Sequence, residues 1–131
     1  MEDIISKELL GEVLGREVKK DMISINQNNV TFAYADEDMW SDINIYELAH
    51  KCKEWAKSNL FVYMNKGKPL SETRAALDFR TKFNFGIWRG YSCCVVTIDE
   101  RYFTIHTTKC FDTETEAIFK ACQWVLEKES K

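Results

Sequence analysis

Apolar positions recur at helical spacing in three stretches of the chain and alternate with polar ones in several others. Leu9, Leu10, Val13 and Leu14 form the first helical stripe. Ser6 precedes it as a cap residue, Ile5 is placed to staple onto Leu10, and Gly15 follows as a residue able to take the left-handed conformation that ends a helix. The spacing predicts a helix over Lys7–Leu14. A second stripe, Leu48, Ala49, Cys52, Trp55 and Ala56, follows Asn44 as its cap, with Glu47 three residues on and Ile43 set against Leu48. Ser58 and Asn59 are expected to end this helix, and Leu60 to Met64 then reads as a buried strand. The third stripe, Ala117, Ile118, Ala121, Cys122, Val125 and Leu126, opens on the capping box Thr113-Glu114-Thr115-Glu116.

Between the helices the period changes to two. Met22 to Ile25 and Val30 to Tyr34 read as a hairpin joined by Asn26-Gln27-Asn28-Asn29, with Val30, Phe32 and Tyr34 on one face. Leu77, Phe79, Thr81, Phe83, Phe85 and Ile87 alternate with Asp78, Arg80, Lys82, Asn84, Gly86 and Trp88, predicting a long strand with a bend at Gly86. Tyr91 to Ile98 and Tyr102 to Thr108 complete a meander through the turns Arg89-Gly90 and Asp99-Glu100-Arg101. Gly67, Pro69 and Ser71 mark a turn and a short helix within Lys66 to Ala76.

This order predicts one α+β domain over residues 1–131: a mostly antiparallel sheet of about five to six strands, covered by N-terminal, central and C-terminal helices as a layered sandwich. Leu10, Phe32, Trp55, Val95, Ile118 and Val125 are its expected core. The single proline and five glycines leave little material for a linker.

No apolar stretch is long enough to span a bilayer, and Glu2 and Asp3 stand where an export signal carries lysine or arginine. The expected location is the cytoplasm, without membrane association. The five cysteines, Cys52, Cys93, Cys94, Cys110 and Cys122, are odd in number, include an adjacent pair and sit mostly in apolar patterns, so they are expected to be reduced thiols.

The two ends of the chain carry a resemblance. The opening, Ile5-Ser6-Lys7-Glu8-Leu9-Leu10-Gly11-Glu12-Val13-Leu14-Gly15, resembles the first helix of the small phage proteins called the phage ABA-sandwich family. The closing Asp112-Thr113-Glu114-Thr115-Glu116-Ala117-Ile118-Phe119-Lys120-Ala121-Cys122 resembles that family's final helix. The resemblance implies helix-sheet-helix layering and a phage or prophage origin, and carries no catalytic residues. It implies a setting in which small proteins act by binding host machinery, such as a nucleic-acid-binding defence complex of the CRISPR effector type.

Catalytic, cofactor and metal chemistry find little support. Cys93 or Cys94 with His106 on the next strand is the one candidate for a cysteine-dependent enzyme, but His106 alternates with Tyr102, Thr104 and Thr108 on what reads as a polar face. Adjacent strand cysteines point to opposite faces and share no metal ion, and no glycine pair forms a phosphate cradle. No catalytic residue, cofactor or metal is expected.

Charge is more informative. Asp21, Asp36, Glu37, Asp38, Asp42 and Glu47 fall in a stretch to His50 that holds no lysine or arginine. Lys66, Lys68, Arg74, Arg80, Lys82 and Arg89 face only Glu72 and Asp78 in the stretch from 66 to 89, so a net charge of -3 conceals two poles. Asp36, Glu37, Asp38 and Trp40 combine a negative rim with an apolar anchor and are the expected contacts to a basic host protein. Arg80, Lys82, Trp88 and Arg89 are the alternative, a single-stranded nucleic-acid surface. The placing of Phe79, Phe83 and Phe85 on the opposite, core-facing side argues against it. The chain is expected to be a monomer or a homodimer paired through a sheet edge.

Overall fold

A computed structural model describes residues 5–19, 24–26, 28–64, 76–87, 89–98 and 102–129, and among these described residues the chain forms three helices and six strands. Helix α1 spans Lys7–Leu14, with Ser6 Oγ accepting from the Leu9 amide at 3.2 Å and Gly15 at φ 75° closing its end, as the capping residues predict. Helix α2 spans Ile45–Met64, and Asn44 Oδ1 accepts from the Tyr46 and Glu47 amides. Helix α3 spans Glu114–Glu129, and Thr113 Oγ1 accepts from the Glu116 amide at 3.2 Å.

The strands form two antiparallel sheets rather than one. Strands β1 (Ser24–Asn26), β2 (Asn29–Ala33) and β3 (Trp40–Asn44) make the first, with β2 in the middle. Strands β4 (Ala76–Asn84), β5 (Gly90–Ile98) and β6 (Tyr102–Thr107) make the second, with β5 in the middle and a register shift between Val95 and Val96. The sequence pattern undercounts the first sheet and overcounts elsewhere. Leu60 to Met64 is no strand: α2 runs unbroken to Met64. Serine and asparagine end a helix only weakly, and a five-residue apolar run is compatible with either period. Strand β3 goes unpredicted because Trp40 and the polar residues after it hold no strand signal until β2 offers a partner, Ala33 opposite Trp40 and Val30 opposite Ile43. The short helix expected within Lys66 to Ala76 lies outside the described residues up to 75, and Ala76 opens β4. The turn at 99–101 also lies outside them.

One apolar cluster joins both sheets to all three helices. Leu9 and Leu10 of α1, Val30 and Phe32 of β2, Leu48 and Cys52 of α2, Phe79 of β4, Val95 of β5, and Phe119 and Val125 of α3 are buried in it. Helix α3 packs on α2, β4 and β5, and α1 touches both other helices. Of the expected core, Leu10, Phe32, Val95, Ile118 and Val125 are buried, whereas Trp55 is only half-buried at the margin. Phe85, placed in the core by its alternation, is instead 83% exposed, and Ile87 is 93% exposed. Strand β4 ends at Asn84, and beyond it Gly86 at φ 104° bends the chain, so these two side chains no longer follow the sheet. No helix among the described residues is long and apolar enough to cross a membrane.

Candidate functional site

The acidic residues 36–38 lie at the turn that leaves β2. An isolated bridge between Val18 and Tyr34, with Lys19 N donating to Ala33 O at 2.8 Å and Ala35 N to Glu17 O at 2.9 Å, runs residues 17–19 alongside that end of the strand. The pairing delivers two cations to a segment that has none of its own. Arg16 Nη2 donates to Asp36 Oδ1 and to Glu37 Oε1, both at 2.8 Å, while its guanidinium carbon sits 3.8 Å from the Tyr34 ring centroid. Lys19 Nζ lies 3.7 Å from Asp38. The hydrogen bond from Arg16 holds the Asp36 carboxyl below the usual aspartate range, and the bonds to Glu37 and then Asp36 raise Arg16. The acidic run is therefore partly compensated, which its own sequence does not show.

The same contacts fix the turn's shape. Glu37 N donates to Tyr34 O at 3.1 Å, and the arginine clamps both carboxylates from one side. The rest of the turn projects outward: Asp38 is fully exposed, Met39 is 75% exposed and Trp40 52%. Arg16 also joins the turn to an open groove of about 740 Å³ beside α1, whose walls add Glu8, Glu12 and Glu17 against Lys7. Glu8, Glu12, Glu17, Asp36, Glu37 and Asp38 thus share one region with Lys7, Arg16 and Lys19, and acid predominates.

The structure separates the basic residues from most of the aromatics near them in sequence. Arg80 and Lys82 are exposed on β4, paired in register with Cys94 and Ser92, and Arg80 Nε lies 3.5 Å from Asp78. Phe79 points the other way, into the core. Arg89 is exposed at the β4–β5 turn, 5.9 Å from the Phe83 ring centroid. Trp88 lies outside the described residues.

The structure divides the cysteine-histidine candidate: Cys93 shares the helix-facing side of the sheet with His106, and Cys94 does not. His106 stands opposite Val95 in register and stacks on Trp124 of α3 at 4.4 Å with the rings 4° from parallel. It therefore belongs to the helix-facing side of the sheet, not the polar face its alternation suggests. Cys94 is opposite Thr107, on the other face, with Sγ 3.6 Å from Thr107 Oγ1. Burial, and next the neighbouring Cys94, push the Cys93 thiol up to about 12, so it is protonated at neutral pH and offers no thiolate. A hydrogen bond with Cys52, then burial, raises Cys122 as well. All five cysteines are free thiols, with Cys52, Cys93 and Cys122 buried. Among the described residues, no group of histidine, cysteine and acidic side chains is placed to hold a metal ion.

Compared with known proteins, the chain matches no family model, no curated protein and no solved structure.

Proposed function

We propose that this protein is a non-enzymatic binding protein that docks on a basic surface of a partner protein through Asp36, Glu37, Asp38 and Trp40, with Met39 beside them. One observation carries the reading: Arg16 holds Asp36 and Glu37 at 2.8 Å each from a neighbouring segment, while Asp38, Met39 and Trp40 are left exposed. A turn already held in shape loses little further entropy on binding, so its contacts count almost fully towards affinity. The surrounding acids attract a basic partner over distance, and Trp40 supplies an apolar anchor of the kind that dominates interface energies. A groove that normally holds nucleic acid presents the matching chemistry. A host defence complex such as a CRISPR effector is the partner class that fits the phage origin implied by the terminal helices.

The test is binding kinetics with partners captured from lysate of the cells that express the protein. Asp38→Lys, at a fully exposed position with a long contact to Lys19, is expected to slow association and flatten its salt dependence. Trp40→Ala is expected to speed dissociation instead. If both variants bind with unchanged rates, the acidic turn is a solvated connector and the reading fails.

A further inference from the structure

The β4–β5 hairpin tip is a second surface, independent of the acidic turn. Phe83, half-buried at the end of β4, holds two edge contacts: Tyr91 at 4.9 Å and Phe85 at 4.8 Å between ring centroids. Only the edge contact with Phe83 engages Phe85 among the described rings, and at 83% exposure most of its π-surface is in water. Arg89 leans over Phe83, and Lys82 precedes it in β4. From Phe79 to Ile98 the chain carries Arg80, Lys82 and Arg89 and no acid. The sheet face that Lys82 and Arg80 occupy also shows exposed Thr104 and Thr107, whereas the core residues Phe79, Cys93 and Val95 meet α2 and α3 on the opposite face.

We propose that this hairpin tip binds single-stranded nucleic acid over a short footprint. Phe85 stacks one base, Arg89 on the same side of the hairpin as Phe83 holds an adjoining phosphate, and Lys82, with Arg80 beyond it, meets the backbone where it passes round the tip to the other face of β4. An exposed ring with a cation beside it supplies the two parts such sites need: the ring accepts any base, and the charge follows the backbone. A second copy of the chain is the competing occupant, and its self-association is one outcome of the test below. Phe79 faces the core as its alternation predicts, but Phe85 does not, and that exposed ring is what the sequence argument against nucleic acid did not foresee.

The experiment is fluorescence anisotropy of the full chain with a labelled oligothymidylate of about 12 nucleotides, within the span of known single-strand sites. At low ionic strength saturable binding is expected. Its logarithmic salt slope should be about -1.4 to -2.1, the value for two to three phosphate contacts on a single strand. Phe85→Ala, at an exposed position that leaves thermal unfolding unchanged, should weaken binding about 5- to 150-fold, the loss of one stacked base. Arg89→Glu should weaken binding and flatten the slope, while Asp38→Asn should not weaken it. Three results would overturn the proposal: no binding at low salt, binding indifferent to Phe85→Ala, or a Phe85-dependent self-association or anionic-vesicle binding without oligonucleotide binding.

Discussion

Arg16 and Asp36 are 20 residues apart in the chain and 2.8 Å apart in the fold. The contact exists because the segment around Val18 lies against the end of β2 at Tyr34, and the Tyr34 ring then supports the guanidinium. Replacing Arg16 with glutamine should therefore loosen the turn at 36–38 more than it destabilises the fold. Exposed ion pairs contribute little to folding stability. By carboxylate NMR titration the Asp36 midpoint, held below the ordinary range in the parent chain, should rise in the variant. An unmoved midpoint would mean that the ion pair does not form in solution.

Aromatic size predicts nothing about stability here without burial. Phe119 is fully buried between α3 and its neighbours, so Phe119→Ala should cost about 3–5 kcal/mol. Phe85→Ala should stay within about 0.5 kcal/mol of the parent, as an exposed side chain does. Chemical denaturation of the two variants distinguishes them directly.

The two glycines that bound the β4–β5 turn should differ in their tolerance of alanine. At Gly90, φ is 140° and an added Cβ would lie 2.6 Å from Phe111 O, in the segment whose amide pairs with Tyr91. At Gly86, φ is 104° and nothing stands within 4 Å of the added atom. Gly86→Ala should cost about 1–3 kcal/mol for backbone strain alone, and Gly90→Ala more than that, since backbone must also move. Equal melting temperatures for the two variants would contradict the Gly90 geometry.

Thiol chemistry should follow burial. In the folded protein at neutral pH a thiol reagent should reach Cys94 and Cys110 before Cys52, Cys93 and Cys122, and on denaturation it should label all five. Stability should also fall in alkali. Below the ordinary thiol pKa of 9.0 Cys93 is protonated in both states and its stabilisation is fully present. Between 9.0 and about 12 the unfolded chain gives up this proton while the folded chain keeps it, so stability declines as pH rises. The ceiling on this loss is about 4 kcal/mol, three units at 1.36 kcal/mol each. Cys93→Ala should flatten the decline in denaturation curves measured across that window.

Features that depend on neighbours a few residues away could be read from the chain alone. Ser6 and Gly15 bound α1, Asn44 and Thr113 open α2 and α3, and the alternation over β5 and β6 marks strands, because caps and periodicities are properties of local backbone geometry. The exposed carboxylates and the basic strand were equally legible as charge. Tertiary structure decided what depends on partners distant in sequence. Trp40 to Asn44 became a strand because β2 pairs with it, and the six strands divided into two sheets rather than one. Pairing along β2 brought Arg16 to the acidic turn, and His106 turned inward to stack on Trp124 of α3. Phe85 left the core because β4 stops one residue before it, at Asn84. An alternating pattern states which residues share a face while a strand lasts. Where the strand stops, and what covers each face, is set by the energy of contacts between segments that local spacing does not encode.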